Sequence, residues 1–357
     1  MQKVFLKYFN QLSIKSTSSD SELHILTTVE YKKVTFIFWA YCFLAAFVAA
    51  LGMVFYFEPV NRYPEMFPFY NLIIDNQAYK IEWGIHLWGV FLIVLELILL
   101  VFINLKAVHS LGVATGFLTS ENPEKIDFLV KLGLENKDLG LQSFGIDPFQ
   151  GINKKILFLY GLVLKLKGFL ANKLLQFAVK RMLGRYAIRY VMDYVGMPIY
   201  MFINALGTYN ILRKTKVCIF GKTFIQKFTT DLPTLSLTDF EKELVYDTLQ
   251  LIAMSKRDYH QNHLELTQQI FKKYQIQPKN IHYFNKNYYS EVANQRIEIQ
   301  QICKKIVVLG FILDGKLSHR EKKRIEILIQ LKVIHQSVSE IEQLVFDFNK
   351  GIAIEIN

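Results

Sequence analysis

The sequence predicts an all-α protein, a two-helix transmembrane hairpin followed by cytoplasmic helical domains. Three observations lead there. Val34 to Phe57, "VTFIFWAYCFLAAFVAALGMVFYF", runs 24 residues without a charge, more than the roughly 20 that a bilayer-crossing helix needs. Ile85 to Ile103 is a second apolar run of spanning length, interrupted once by Glu96. From residue 229 onward, apolar side chains recur at helical spacing among mixed charges, as in a soluble bundle. Apolar residues make up 52% of the 357 and aromatics 14%. That balance is high for a fully soluble chain and low for a polytopic transporter, so a few membrane segments joined to soluble domains fit best.

Residues 1–30 form an N-terminal segment with a short amphipathic pattern (Phe5, Phe9, Leu12) and then the polar run "STSSDSE". A surface helix and a linker are expected, with no cleavable leader, since an unbroken apolar stretch and a small-residue cleavage site are missing. Residues 31–107 make the hairpin, with spans at 34–57 and 85–105. Lys32 and Lys33 precede it and Lys106 follows, whereas the linker from Glu58 to Gly84 is acidic on balance. Positive-inside logic therefore puts both termini in the cytoplasm. Pro59, Pro64 and Pro68, set among Tyr63, Phe67, Phe69 and Tyr70, predict a compact interfacial loop between the spans. Ala45, Ala46, Ala49, Ala50 and Gly52 let a neighbouring helix approach closely. That neighbour is expected within the chain, in a protein partner, or in a homo-oligomer.

Residues 108–228 hold the positive charge. Lys154 to Phe228 contains fourteen Lys or Arg residues against the single acid Asp193, while the whole chain carries only +11. Everything outside that segment is slightly acidic, so an anionic partner is met there. Arg181, Arg185 and Arg189 recur every four residues beside Lys180, and Arg213 and Lys214 close the next apolar run. Basic side chains beside a wide apolar face suit a helix lying among lipid headgroups. An anionic bilayer is the expected partner, and nucleic acid is disfavoured by the membrane tether. The 19 uncharged residues Tyr194 to Leu212 are long enough to cross a bilayer. Crossing would carry the strongest basic flank to the wrong face, so this stretch is expected to lie at the membrane or pack within its own domain.

Residues 229–357 read as a cytoplasmic bundle. Thr238 with Glu241, and Ser318 with Glu321, have capping-box spacing. Asp314-Gly315 fits the turn before the second of these helices. His260 and His263 lack the further ligands a metal site needs and are expected on a surface. The three cysteines, Cys42, Cys218 and Cys303, share no disulfide or metal spacing and are expected as buried apolar residues. No nucleophile, phosphate-loop or kinase motif is present, so nothing in the sequence argues for an enzyme. Glu96 is the one Asp, Glu, Lys or Arg set within a predicted span, which makes it a functional candidate. Its expected partners are Tyr41 or a neighbouring backbone group.

Two stretches carry family resemblances. "VGMPIYMFINALGTYNILRKTKVCIFGKTFI", within residues 155–228, resembles the EcsC family, bacterial proteins associated with membrane function. "VVLGFILDGKLSHREKKRIEILIQLKVIHQSVSEIEQLV", Val307 to Val345, resembles the TerB-like domain of tellurite-resistance and related stress proteins. The second resemblance implies a helical bundle and links the positions of Asp314 and Glu321 to divalent metal binding. Local chemistry explains the same residues as a turn and a helix cap, with no cofactor. Together the two imply a bacterial cytoplasmic (inner) membrane protein, a non-enzymatic adaptor or sensor in envelope stress, defence or secretion. The alternatives are a membrane enzyme or hydrolase subunit acting on lipid or peptide, and a subunit of an oligomeric channel or transporter.

Overall fold

The computed structural model describes residues 7–9, 11–12, 26–74, 77–81, 83–118, 123–134, 143–150, 197–257 and 260–356. Helix α1, Thr28–Arg62, starts at Thr27 with a closed capping box to Glu30. Helix α2, Trp83–Ala114, returns beside it. Trp88 Nε1 donates to the Phe55 carbonyl at 3.1 Å near one end, and the Tyr41 hydroxyl meets Ser110 Oγ at 2.9 Å near the other, so the pair is antiparallel. At 35 and 32 residues, both are long and apolar enough to cross a membrane, at about 52 and 48 Å. Large apolar side chains such as Phe36, Trp39, Phe43, Phe91 and Leu97 point outward. A soluble fold leaves few contiguous surfaces of that kind.

The link between these helices is more ordered than a loop. Strands β1, Tyr70–Ile74, and β2, Gln77–Ile81, pair antiparallel from Tyr70↔Ile81 to Ile74↔Gln77. Their β-branched and aromatic residues favour extended backbone. The helical fold therefore carries one small hairpin at the tip of the α1–α2 pair.

Helix α3, Pro123–Gly133, packs on the far end of α2. Helix α4, Met197–Asp231, is the spine of the molecule. Its first half lies along both α1 and α2. Asn204 contacts Glu96 and Thr208 contacts Asn104, so α4 runs parallel to α2. The stretch 194–212, expected to lie at the membrane or to pack within its own domain, packs against the hairpin over its described part. Met197–Leu212 stands alongside the two apolar helices because Asn204 and Thr208 find partners there. The helix also passes straight through the boundary expected at residue 228.

The second half of α4 is buried in the bundle made by α5 (Asp239–Lys256), α6 (Gln261–Tyr274), α7 (Tyr288–Ala293), α8 (Ile297–Ile312), α9 (His319–Gln330) and α10 (Val338–Lys350). Val217, Phe220, Phe224 and Phe228 join Leu249, Ile270, Val307, Ile325 and Phe348 in one core, continuous with Leu105, Val108 and Leu111 of α2. Asn262 of α6 enters where Gly221 has no side chain, donating to the Val217 carbonyl at 3.0 Å and the Leu313 carbonyl at 2.6 Å. A methyl group at Gly221 would overlap it. The capping boxes expected at Thr238/Glu241 and Ser318/Glu321 both form, and Ser337/Glu340 adds a third within the bundle. Gly315 has φ +67°, the left-handed turn expected after Asp314.

Near the N-terminus, Phe9 is buried with its ring 5.0 Å from that of His109, and Tyr8 meets Phe102 at 4.9 Å. The expected amphipathic pattern is visible in the described residues, with Lys7 and Gln11 exposed and Phe9 buried. This short piece packs on α2 because its aromatic rings have an apolar surface to cover.

Candidate functional site

The first candidate is the polar seam between α2 and α4. Asn204 Nδ2 donates to Glu96 Oε1 at 2.6 Å, and Thr208 Oγ1 donates to Asn104 Oδ1 at 2.9 Å, eight residues further along α2. Glu96 Oε2 lies 3.3 Å from where a Cβ on Gly52 would stand, so α1 closes the third side. Helical spacing places Asn204 and Thr208 one turn apart on the same face. The expected partner Tyr41 is engaged instead with Ser110, about four turns nearer the bundle. The seam brings three helices together through these polar contacts. It offers recognition and register between helices.

The second candidate surrounds the Asp314-Gly315 turn. Lys256, at the end of α5, puts its ammonium 2.7 Å from Asp314 Oδ1 and 3.5 Å from Glu321 Oε1. It also donates to the carbonyls of Phe311 at 3.0 Å and Lys316 at 3.2 Å. The three side chains are 0%, 2% and 5% exposed. Glu321 Oε2 accepts the Ser318 N–H at 2.6 Å, so the capping box and the ion cluster share one carboxylate. The two positions that the resemblance links to a divalent cation do come together. What stands between them is a lysine ammonium with four oxygens around it. Among the described residues no group of three or more His, Cys, Asp or Glu side chains converges as a metal site would.

Three histidines, His260, His263 and His282, take part in the packing of the bundle. His260 caps α6, its Nδ1 accepting the Asn262 N–H at 3.2 Å, and His263 Nε2 meets the Gly310 carbonyl at 2.9 Å. The expected surface position is corrected, since His263 is buried and its neighbour is half-buried. Burial, together with the nearby charges of His263, Lys316, Lys214 and Lys256, pushes His260 down to about 3. His282 pairs with Asp247 at 2.8 Å and stacks 4.0 Å from Tyr246. Gln150 donates to the His282 carbonyl at 2.8 Å, and Gly145 O accepts the His282 N–H at 3.0 Å, so the His282 backbone fastens residues 143–150 to the bundle. Cys218 and Cys303 are buried, as expected, and burial pushes the Cys303 thiol up to about 11, far from a reactive thiolate.

Arg181, Arg185, Arg189 and Lys180 lie outside the described residues. Arg213 is exposed and Lys214 half-exposed on α4, just past its last outward-facing apolar turn. No protein-family model, curated protein sequence or solved structure matches this chain. Sequence reasoning missed Asn104, Asn204 and Thr208 as partners of the hairpin, and it missed Lys256. Paired polar residues at i and i+4 on α4, within an otherwise uncharged run, were the available signal for the seam.

Proposed function

We propose that this protein is a non-enzymatic membrane-anchored adaptor or sensor, with α1 and α2 crossing the cytoplasmic membrane of a bacterium and the bundle of α5–α10 in the cytoplasm. The observation that carries this reading is α4. One helix makes the seam with Glu96 through its first half and supplies core residues to the bundle through its second. A displacement of the membrane helices is thereby linked to the bundle without a flexible joint. Two further ties support the link. Leu26 N–H, just before α1, donates to the Gly351 carbonyl at 2.7 Å, and Lys216 donates to the Asn349 carbonyl at 2.9 Å. With α1 and α2 in the bilayer, Met197–Leu212 forms a third embedded segment. Met197 then lies about 10 Å beyond the depth of Asn204, seven residues along the helix.

Adaptor is preferred to channel because Glu96 is satisfied within one chain. A pore lined by Glu96 needs that carboxylate turned toward a shared axis. The TerB-like and EcsC-like resemblances favour envelope stress, defence or secretion as the setting, and an anionic inner leaflet as the surface met by Arg213, Lys214 and the basic residues before them. The membrane reading is tested by single cysteines at Tyr70, Thr230 and Met197 in a chain whose native cysteines are alanines. An impermeant maleimide applied to oriented vesicles should label 70 and 230 from opposite faces and leave 197 protected from both. Labelling of 70 and 230 from one face ends the hairpin reading, and labelling of 197 from the cytoplasmic face ends the third embedded segment. The adaptor reading is tested by recovering the chain in mild detergent. A stoichiometric protein partner that is lost when residues 232–357 are removed supports it, and recovery of the intact chain alone overturns it.

A further inference from the structure

A groove of about 470 Å³ opens between α1 and the first half of α4. Phe38 and Trp39 from α1, with Phe202, Leu206 and Tyr209 from α4, form its apolar walls, and Lys216 stands in the wall at one end. Trp39, Phe202, Leu206 and Tyr209 are all exposed in the chain alone. Along α1 the lining extends from Tyr31 to Cys42, and along α4 from Phe202 to Lys216. At 1.5 Å per residue these are about 16 and 21 Å, against about 15 Å for half of a hydrocarbon core. The groove is therefore one leaflet deep, with its cation at the end nearest the bundle.

That end is electrostatically one-sided. The lining contains Lys216 and no carboxylate. An ammonium has three donors. Lys216 spends one on the Asn349 carbonyl at 2.9 Å and stands 5.8 Å from the Phe38 ring centre. Arg213 lies one turn earlier on α4, and Lys32 lies in the first turns of α1. Glu30, the acid on α1 closest to Lys32 in sequence, is engaged by the Thr27 N–H and hydroxyl, each at 2.9 Å. A chain-like apolar ligand with an anionic head satisfies both ends of this groove at once.

We propose that the groove binds one acyl chain of an anionic phospholipid of the cytoplasmic leaflet, with the headgroup phosphate at Lys216. This rests on the membrane placement proposed above. The bound lipid would bridge α1 and α4 at the point where both enter the bundle, which makes lipid charge an input to an adaptor or sensor.

Native mass spectrometry of the full chain in mild detergent tests the proposal, with phosphatidylglycerol and phosphatidylcholine of identical acyl chains as probes. The wild type should retain one lipid, preferring phosphatidylglycerol by about fivefold, the ratio equivalent to about 1 kcal/mol for one basic residue near an anionic headgroup. Lys216→Gln should bring the two lipids to equal retention. Ala205→Phe, which fills the groove wall, should remove the retained lipid while the protein stays in carbonate-washed membranes. Unchanged phosphatidylglycerol retention in Ala205→Phe overturns the site, as does a preference that survives Lys216→Gln or is missing from the wild type. If Ala205→Phe shows no melting transition, the Lys216→Gln comparison decides alone. Loss of the wild type itself from carbonate-washed membranes would instead sink the membrane reading.

Discussion

Lys256 and Glu96 are ionisable side chains on helices, and both find their partners inside the protein, yet their surroundings differ. Lys256 sits in the bundle with two carboxylates and two carbonyls around it, and is fully buried. Glu96 is half-buried on an apolar helix and is held by one amide from Asn204. In the bundle, charge is matched by opposite charge, and every member depends on the others. In the apolar layer, a dipole meets the carboxylate, and the contact sets which faces of three helices meet. The lesson is that burial alone does not rank these sites. The number of groups orphaned by one substitution does.

The sharpest way to break the comparison is Lys256→Met. It leaves Asp314 and Glu321 buried without their cation, and losing one partner of a buried pair costs about 3–5 kcal/mol. Urea unfolding followed through the bundle should show a loss of that size, and a loss under 1 kcal/mol would mean that the cluster is not closed. Ser318→Ala comes next, removing the cap that also orients Glu321 through the shared turn. A cost of about 0.5–2 kcal/mol is expected in the same assay.

Asn204→Leu tests the other side. Hydrogen bonds between helices in an apolar medium average about 0.6 kcal/mol and reach about 1.7, so thermal melting in detergent should show a modest shift. A loss as large as that of Lys256→Met would erase the distinction between the two sites.

A further test concerns pH. His260 is held below its ordinary value in the folded bundle, so the unfolded chain takes up the proton first as pH falls. The unfolded state then binds more protons, and stability rises with pH across that window. The contribution is fully present above about 6.5 and is lost progressively toward about 3. His260→Asn keeps a capping side chain and should lose less stability than wild type between pH 7.5 and pH 5, read from urea midpoints. The smallest expected effect is none at all. Millimolar calcium or magnesium should leave the melting temperature of the wild type unchanged, because the Lys256 ammonium already occupies the space between Asp314 and Glu321. A rise that disappears in Asp314→Asn would restore the metal reading.

Local features were legible in the sequence, and distant ones were not. Val34 to Phe57 announces itself by run length, and Thr238/Glu241 and Ser318/Glu321 by a spacing of three, because each signal is complete within a few residues. Lys256 meets Asp314 across 58 positions, and Asn204 meets Glu96 across 108. Nothing near Lys256 distinguishes it from the solvated lysines of neighbouring helices. Asn204, read alone, only weakens a helix. Its meaning depends on Glu96, which was itself conspicuous. The hairpin of β1 and β2 was hidden by the prolines around Pro64, which suggested irregular backbone although the strands begin just after them. The same limit explains 194–212, where flanking charge was weighed without the partner helices that Asn204 and Thr208 engage.

Because α4 is unbroken, its two halves share a single phase. Each inserted residue would turn the bundle half by about 100° relative to the seam and lift it by about 1.5 Å. One extra residue after Lys214 would swing Val217 and Gly221 away from the core and Asn262, although no contact residue had changed. Seven would bring the faces back to within about 20°, about 10 Å further apart. Length in this helix is therefore quantised, and the distance between the Glu96 seam and the bundle is fixed as firmly as any residue in either.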